Sequence, residues 1–288
     1  MHPIMKYNRE IFQQTLKTIE DGHYTDSSGQ EHDISELNKK AIFESVTIPD
    51  NQTIDITTQL NQTKNFGEKE KQEIFSRVEV TDESTAAAAR RYVEQNYEGV
   101  CLLNFANGFQ YGGGVEMGCT AQEETISRQS NLFFALKEQP EMYEHNRKLG
   151  TDFCSDYLIY SPDVVFFRND KYEFVKPILA SVISSPAVDL RGMYVDEEIE
   201  KKTNQIMKGR IKRILELAIS KNVKSIILGA FGCGAFLNKP EDISQIFKEL
   251  LVDEFYGTFF THILFPIYGK SAQSVHNFKV FKATFNIK

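Results

Sequence analysis

"VCLLNFANGFQYGGGVEMGCTAQEE", residues 100–124, leaves an unbroken apolar run, passes through four glycines in the eight residues 107–114, and ends, after Gly118, on two adjacent carboxylates, Glu123 and Glu124. A short apolar run of this kind reads as a strand buried on both faces, and the glycines mark the loop that leaves it. The same grammar recurs once, where "VKSIIL" runs into "GAFGCGAFLN", residues 229–238. In an open α/β sheet ligands collect where loops leave the carboxyl ends of strands. Glycine there lets main-chain N–H groups approach phosphate oxygens with no Cβ in the way. Two such loops on neighbouring strands form a clamp for a diphosphate.

The flanking sequence supplies the rest of such a sheet. "NREIFQQTLKTIEDG" places Phe12, Leu16 and Ile19 on one helical face and stops at Gly22. Residues from about His23 to Lys71 are polar and read as an N-terminal extension. From Ile74 onward strands and helices alternate: "SRVEV", the alanine-rich helix "DESTAAAARRYVEQNYEG", "VCLLNFA", a helix from about Ala121 to Lys137, a hairpin of "DVVFFRND" and "KYEFV", the strand "PILASVISS", a helix from about Glu197 to Ser220, "VKSIILGAF", the helix "KPEDISQIFKELLVDEF" and the strand "FTHILFPIY". The alternation predicts an α/β fold whose mixed, mostly parallel sheet is covered on both faces.

Composition narrows the function. With 41% hydrophobic and 25% charged residues in a 288-residue chain, the protein can bury a sizeable core. A formal net charge of -7 argues against general nucleic-acid binding. Cys101, Cys119, Cys154 and Cys233 form no C-x-x-C pair, and the six histidines lack metal-ligand spacing, so no metal site is expected and reduced cytoplasmic thiols are the simplest reading. No apolar run is long enough to span a membrane. Gly229, Gly232 and Gly234 do not follow the dinucleotide fingerprint, and no kinase or ATPase phosphate loop occurs.

The spacing of "GGG" (Gly112, Gly113, Gly114) to "QEE" (Gln122, Glu123, Glu124) resembles the catalytic signature of poly(ADP-ribose) glycohydrolases. "NREIFQQTLKTIEDGHY", "VTDESTAAAARRY", "LNFANGFQYGGG", "VISSPAVD", "RIKRILELAI", "LGAFGCGAFLNKP" and "HNFKVF" resemble the microbial branch, in order and over most of the chain. The resemblance implies a three-layer α/β/α macrodomain-like fold that binds ADP-ribose, with residues 74–288 as the catalytic domain. It implies that residues 1–73 are a mainly helical extension packed on that domain, capping a ribose and not folding independently. It makes Glu124 the catalytic acid/base, Glu123 the partner that holds the scissile ribose, and Gly113, Gly114, Gly232 and Gly234 parts of the phosphate loops, with Gly112, Gln122, Cys233 and Ala235 beside them. Phe236 is similar to the aromatic near the distal ribose. Tyr111, where members commonly carry a small residue or proline, and Phe231, where tryptophan is common, bear on which acceptor fits. No cofactor is implied; the partners are poly(ADP-ribose) or an ADP-ribosylated protein, with free ADP-ribose as product.

The carboxylates make sense without the family. Glycosidic cleavage needs a proton for the departing oxygen and support for an oxocarbenium-like sugar, which one Glu can serve as acid and then base. Neighbouring residues on a helix project about 100° apart, so only one of the pair acts on the bond. Each residue also has a plainer reading. "QEE" at a helix start is often a solvated first turn, Asn104 and Asn107 suit either a turn or ribose binding, Phe236 suits core packing, and Cys233 suits a small hydrophobe better than a nucleophile. Three activities remain open: a glycohydrolase acting on the polymer from its ends, a hydrolase of mono-ADP-ribosylated acceptors, and a reader that binds ADP-ribose without cleaving it. Paired glutamates favour the first two, since a reader needs no acid/base.

Overall fold

The computed structural model describes residues 3–287; residues 1–2 and 288, the outer ends of the two expected segments, lie outside the described residues. In chain order the elements are α1 (Pro3–Asp21), β1 (His23–Thr25), β2 (Glu31–Asp33), α2 (Ser35–Phe43), β3 (Val46–Ile48), α3 (Thr57–Asn61), α4 (Glu68–Ser76), β4 (Val78–Thr81), α5 (Thr85–Glu94), β5 (Val100–Phe105), α6 (Gln122–Gln129), α7 (Leu132–Lys137), α8 (Glu141–Leu149), β6 (Leu158–Arg168), β7 (Phe174–Ser185), α9 (Glu197–Ser220), β8 (Ser225–Ile227), α10 (Pro240–Lys248), β9 (His262–Pro266) and α11 (Ala272–Thr284).

Seven strands form one sheet in the order β3-β6-β7-β5-β8-β9-β4. β5 pairs in parallel with both β7 and β8, β9 with β8 and β4, while β3–β6 and β6–β7 are antiparallel. The mixed, mostly parallel sheet expected from the alternation is present, and the two strands that feed glycine loops are neighbours, Leu102 opposite Ile227.

Strand side chains alternate between faces, and this makes three layers. Cys101, Leu103, Ile226, Ile263 and Phe265 join the core built with α4, α9, α10 and α11. Val100, Leu102, Ile227 and Leu264 face the other way, into the core built with α5, α6, α7 and α8. Buried on both sides, these strands have no polar face to show, which is why they read as continuous apolar runs.

Two expectations are corrected. The helix from Ala121 to Lys137 is two helices, because Ser130 is extended and bridges to Phe166 while the Asn131 side chain accepts from the Val165 N–H at 3.0 Å. Short polar side chains that satisfy main-chain groups compete with the helix in this way. "KYEFV" and "PILASVISS" are not separate strands either: β7 runs unbroken through Pro177 and forms one long hairpin with β6.

The N-terminal 73 residues contribute β3 to the sheet edge and lay α1 across the glycine loop. The fully buried Phe12 ring meets Phe133 edge-on at 5.0 Å and packs on Val115, inside that loop. Removing a ring so buried costs about 3–5 kcal/mol.

Candidate active site

α6 begins where the glycine loop ends, and its first turn carries Gln122, Glu123 and Glu124. Gln122 is tied to the strand it follows: Oε1 accepts from the Phe105 N–H at 2.8 Å, and Nε2 donates to the Leu103 carbonyl at 2.8 Å and to Thr85 Oγ1 at 3.2 Å. These bonds occupy both ends of the amide and fix the start of α6 against the end of β5.

The two glutamates are buried, 2% and 7% exposed. A solvated helix start is therefore not what "QEE" encodes here. Glu123 accepts from the Asn107 N–H at 2.8 Å and from Asn104 Nδ2 at 3.3 Å. Burial pushes its carboxyl up to about 8, against those two hydrogen bonds and with help from the charge of Glu124. The Tyr143 hydroxyl is pushed up by burial and further by the nearby Glu123 charge, and it has no hydrogen-bond partner. Glu124 Oε1 accepts from the Gly114 N–H at 2.9 Å; its Oε2 is buried with no partner.

The glycines differ in what they do. Gly113 has φ +55°, and a Cβ there would lie 2.5 Å from Glu124 Oε1 and 3.1 Å from Glu123 Oε2. Gly112 (φ +68°) is shaped by Phe133, 2.6 Å from the position of its missing Cβ. Gly114 lies against the Cys119 thiol. In the second loop Gly232 (φ +77°) is required by Ala187 and Asn238, whereas Gly234 is exposed and has open space where its side chain would be. That is the position where a phosphate can approach the main chain.

A cleft of about 440 Å³ brings Gln122, Gly232, Gly234, Ala235 and Phe236 together, over a floor that includes Phe105. Glu123 and Glu124, the next two residues of α6, do not line it, and neither do Asn104 of β5, Asn107 just beyond that strand, or Gly112 to Gly114 of the glycine loop. Asn104 is fully buried and also donates to Ser184 Oγ at 3.0 Å, and the Asn107 oxygen accepts from the N–H groups of Phe109 and Gln110, a turn within the loop. The Cys233 thiol is buried and pushed far up by burial, which suits a small hydrophobe and not a nucleophile. Phe236 is half-buried beneath the Arg191 guanidinium at 5.1 Å. Phe231 is fully buried against Phe105, and Tyr111 packs between Phe133 and Tyr143.

Sequence reading missed Asp170 and Tyr172, at the β6–β7 tip, which close the cleft from the far side. Asp170 accepts from Ser84 Oγ at 2.7 Å and Gln129 Nε2 at 3.0 Å. Nothing local marks a hairpin tip as a cleft wall. Ser84, which holds Asp170, is the N-cap of α5 and accepts from the Ala87 N–H. Among the described residues no group of three or more His, Cys, Asp or Glu could hold a metal, and no helix is long and apolar enough to cross a membrane.

The model of the family "Microbial-type PARG, catalytic domain" matches residues 12–169, more than half of the chain. The chain is similar to the poly(ADP-ribose) glycohydrolase of Thermomonospora curvata, with 29% identity, 97% of this chain and 99% of that chain covered, and a TM-score of 0.84. The structure of that enzyme bound to the inhibitor ADP-HPD gives 29% identity, 96% and 99% coverage and again 0.84. The Deinococcus radiodurans poly(ADP-ribose) glycohydrolase in complex with ADP-ribose matches at 27% identity, 86% and 96% coverage and 0.71. Glycine loop, buried glutamates and fold thus occur together in a chain that belongs to the microbial-type poly(ADP-ribose) glycohydrolases.

Proposed function

We infer that the protein hydrolyses the ribose–ribose O-glycosidic bond of poly(ADP-ribose), releasing ADP-ribose from chain ends. The observation that carries this reading is the buried pair Glu123–Glu124 held under the glycine loop beside the cleft. Glu124 is the acid/base. Its Oε1 is fixed by the Gly114 N–H, which leaves Oε2 to carry the proton to the departing ribose oxygen and afterwards to take one from the attacking water. Glu123, anchored by Asn104 and Asn107, holds the hydroxyls of the scissile ribose. Gly113, Gly114, Gly232 and Gly234 receive the diphosphate, and Phe236 packs near the distal ribose.

Residues 1–73 act as the ribose-capping extension of the catalytic domain, and this cap is the basis of the chain-end preference. A pocket with one exit cannot pass an interior unit. The protein works in the cytoplasm, consistent with four free cysteines, on polymer or on ADP-ribosylated protein. Incubation with labelled polymer and, separately, with mono-ADP-ribosylated protein tests the reading. Free ADP-ribose from the earliest time points with gradual shortening is expected; internal oligomers appearing before monomer overturn the chain-end mode. Release only from the mono-modified protein overturns the substrate.

A further inference from the structure

The return limb of the glycine loop, Gly118 and Cys119, is gripped from two sides. From α1, the buried Asn8 Nδ2 donates to the Gly118 carbonyl at 3.0 Å, and Gly118 (φ +85°) touches the helix so closely that a Cβ there would collide with the Met5 carbonyl. From α6, Arg128 Nη1 donates to the Cys119 carbonyl at 2.7 Å. Arg128 is fully buried, donates from Nε to the Tyr172 hydroxyl at 2.9 Å, and offers its own carbonyl to Thr15 Oγ1 of α1 at 2.7 Å. Among the described residues, none of its bonds is to a carboxylate. A buried guanidinium that bonds a carbonyl and a phenol, with Nη2 left unpartnered, is costly to stability, and that points to a role in geometry.

The grip is transmitted to the carboxylate. The Cys119 N–H donates to the Gly114 carbonyl at 3.1 Å, the Cys119 thiol lies against Gly114, and the N–H of Gly114 holds Glu124 Oε1. Moving Cys119 therefore moves Gly114, the residue whose N–H orients Glu124. A displacement of about 1 Å at a reacting group lowers turnover by about a hundredfold.

We propose that Asn8 and Arg128 are positioning residues for Glu124, so that the N-terminal helix, lying across the glycine loop, sets the geometry of the acid/base. The proposal rests on the reading of Glu124 as the acid/base. Asn8 is the cleaner probe: Asn8→Leu keeps the branching and the number of side-chain heavy atoms and removes the donor, while Gly118→Ala drives the same helix and loop apart from the other side. Thr18→Ala, which removes a hydrogen bond internal to α1, is the control for helix stability alone.

For polymer hydrolysis by the full chain, Asn8→Leu and Gly118→Ala should lower kcat about tenfold or more, with ADP-ribose affinity within about twofold of the parent and the limbs of the pH–kcat profile displaced. Arg128→Lys, which keeps a donor, should retain more activity than Arg128→Met. Thr18→Ala should leave kcat unchanged whatever small change it makes to thermal stability. Parent-like kcat and pH profile in folded Asn8→Leu, or an equal kcat loss in Thr18→Ala, overturns the proposal. If Gly118→Ala does not fold, Asn8→Leu decides alone. Glu124→Gln in the same assay separates the two claims: activity surviving there overturns the acid/base reading, whereas inactive Glu124→Gln beside a fully active Asn8→Leu overturns only the positioning role.

Discussion

The Gly114 main-chain nitrogen lies 2.9 Å from Glu124 Oε1, while the other oxygen of that carboxylate is buried without a partner. One oxygen is an anchor and the other is available for proton transfer. Glu124→Gln keeps shape and removes the titrating group. Turnover should fall by a factor on the order of 10² or more with ADP-ribose affinity little changed. Calorimetry and hydrolysis on one preparation check this, and unchanged turnover removes Glu124 from its role.

Gly113 admits no side chain. Its left-handed backbone costs an alanine about 1–2 kcal/mol, and the methyl would be driven into Glu124 Oε1. Gly113→Ala should therefore lose activity far out of proportion to its modest loss in urea stability. Gly234→Ala, with open space around the added carbon, should leave stability alone and weaken ADP-ribose binding. Tight binding by Gly234→Ala would remove that glycine from the diphosphate loop.

Glu123 makes stability depend on pH. Burial lifts its carboxyl from the ordinary 4.5 to about 8, so between those values the folded chain keeps a proton that the unfolded chain releases. Stability is highest below the unfolded value and declines as pH rises through the window, by an amount on the order of a few kcal/mol at most. Glu123→Gln, which cannot ionise, should flatten this part of the pH–stability curve and be more stable than the parent above about pH 8. Urea unfolding across the range checks the sign; parallel curves for the two proteins contradict the assignment.

Phe236 contributes a half-buried ring to the cleft. Its removal should act mainly on binding, raising KM for polymer about fivefold with a smaller change in kcat, as loss of a stacking contact worth about 1 kcal/mol does. A fall in kcat at constant KM would place the ring with the reacting groups instead.

Much of this protein is decided locally. Apolar runs such as residues 100–103 become strands covered on both faces because burying them on one face only would leave alternate side chains in water. Glycines at 112 and 113 announce a backbone that only they adopt cheaply, and the adjacency of Glu123 and Glu124 on one helical turn already allots the bond to one of them. Where distant segments compete for the same groups, the sequence is silent. Asn131 ends a helix because Val165 needs a partner, β3 finds its place only once β6 exists, and Glu123 titrates late because the fold closes around it. The cleft wall at Asp170 and Tyr172, and the hold of Asn8 on the loop 110 residues away, belong to the same class. Local pattern encodes periodicity and backbone freedom, whereas desolvation and long-range hydrogen bonding come into being only when the chain is packed.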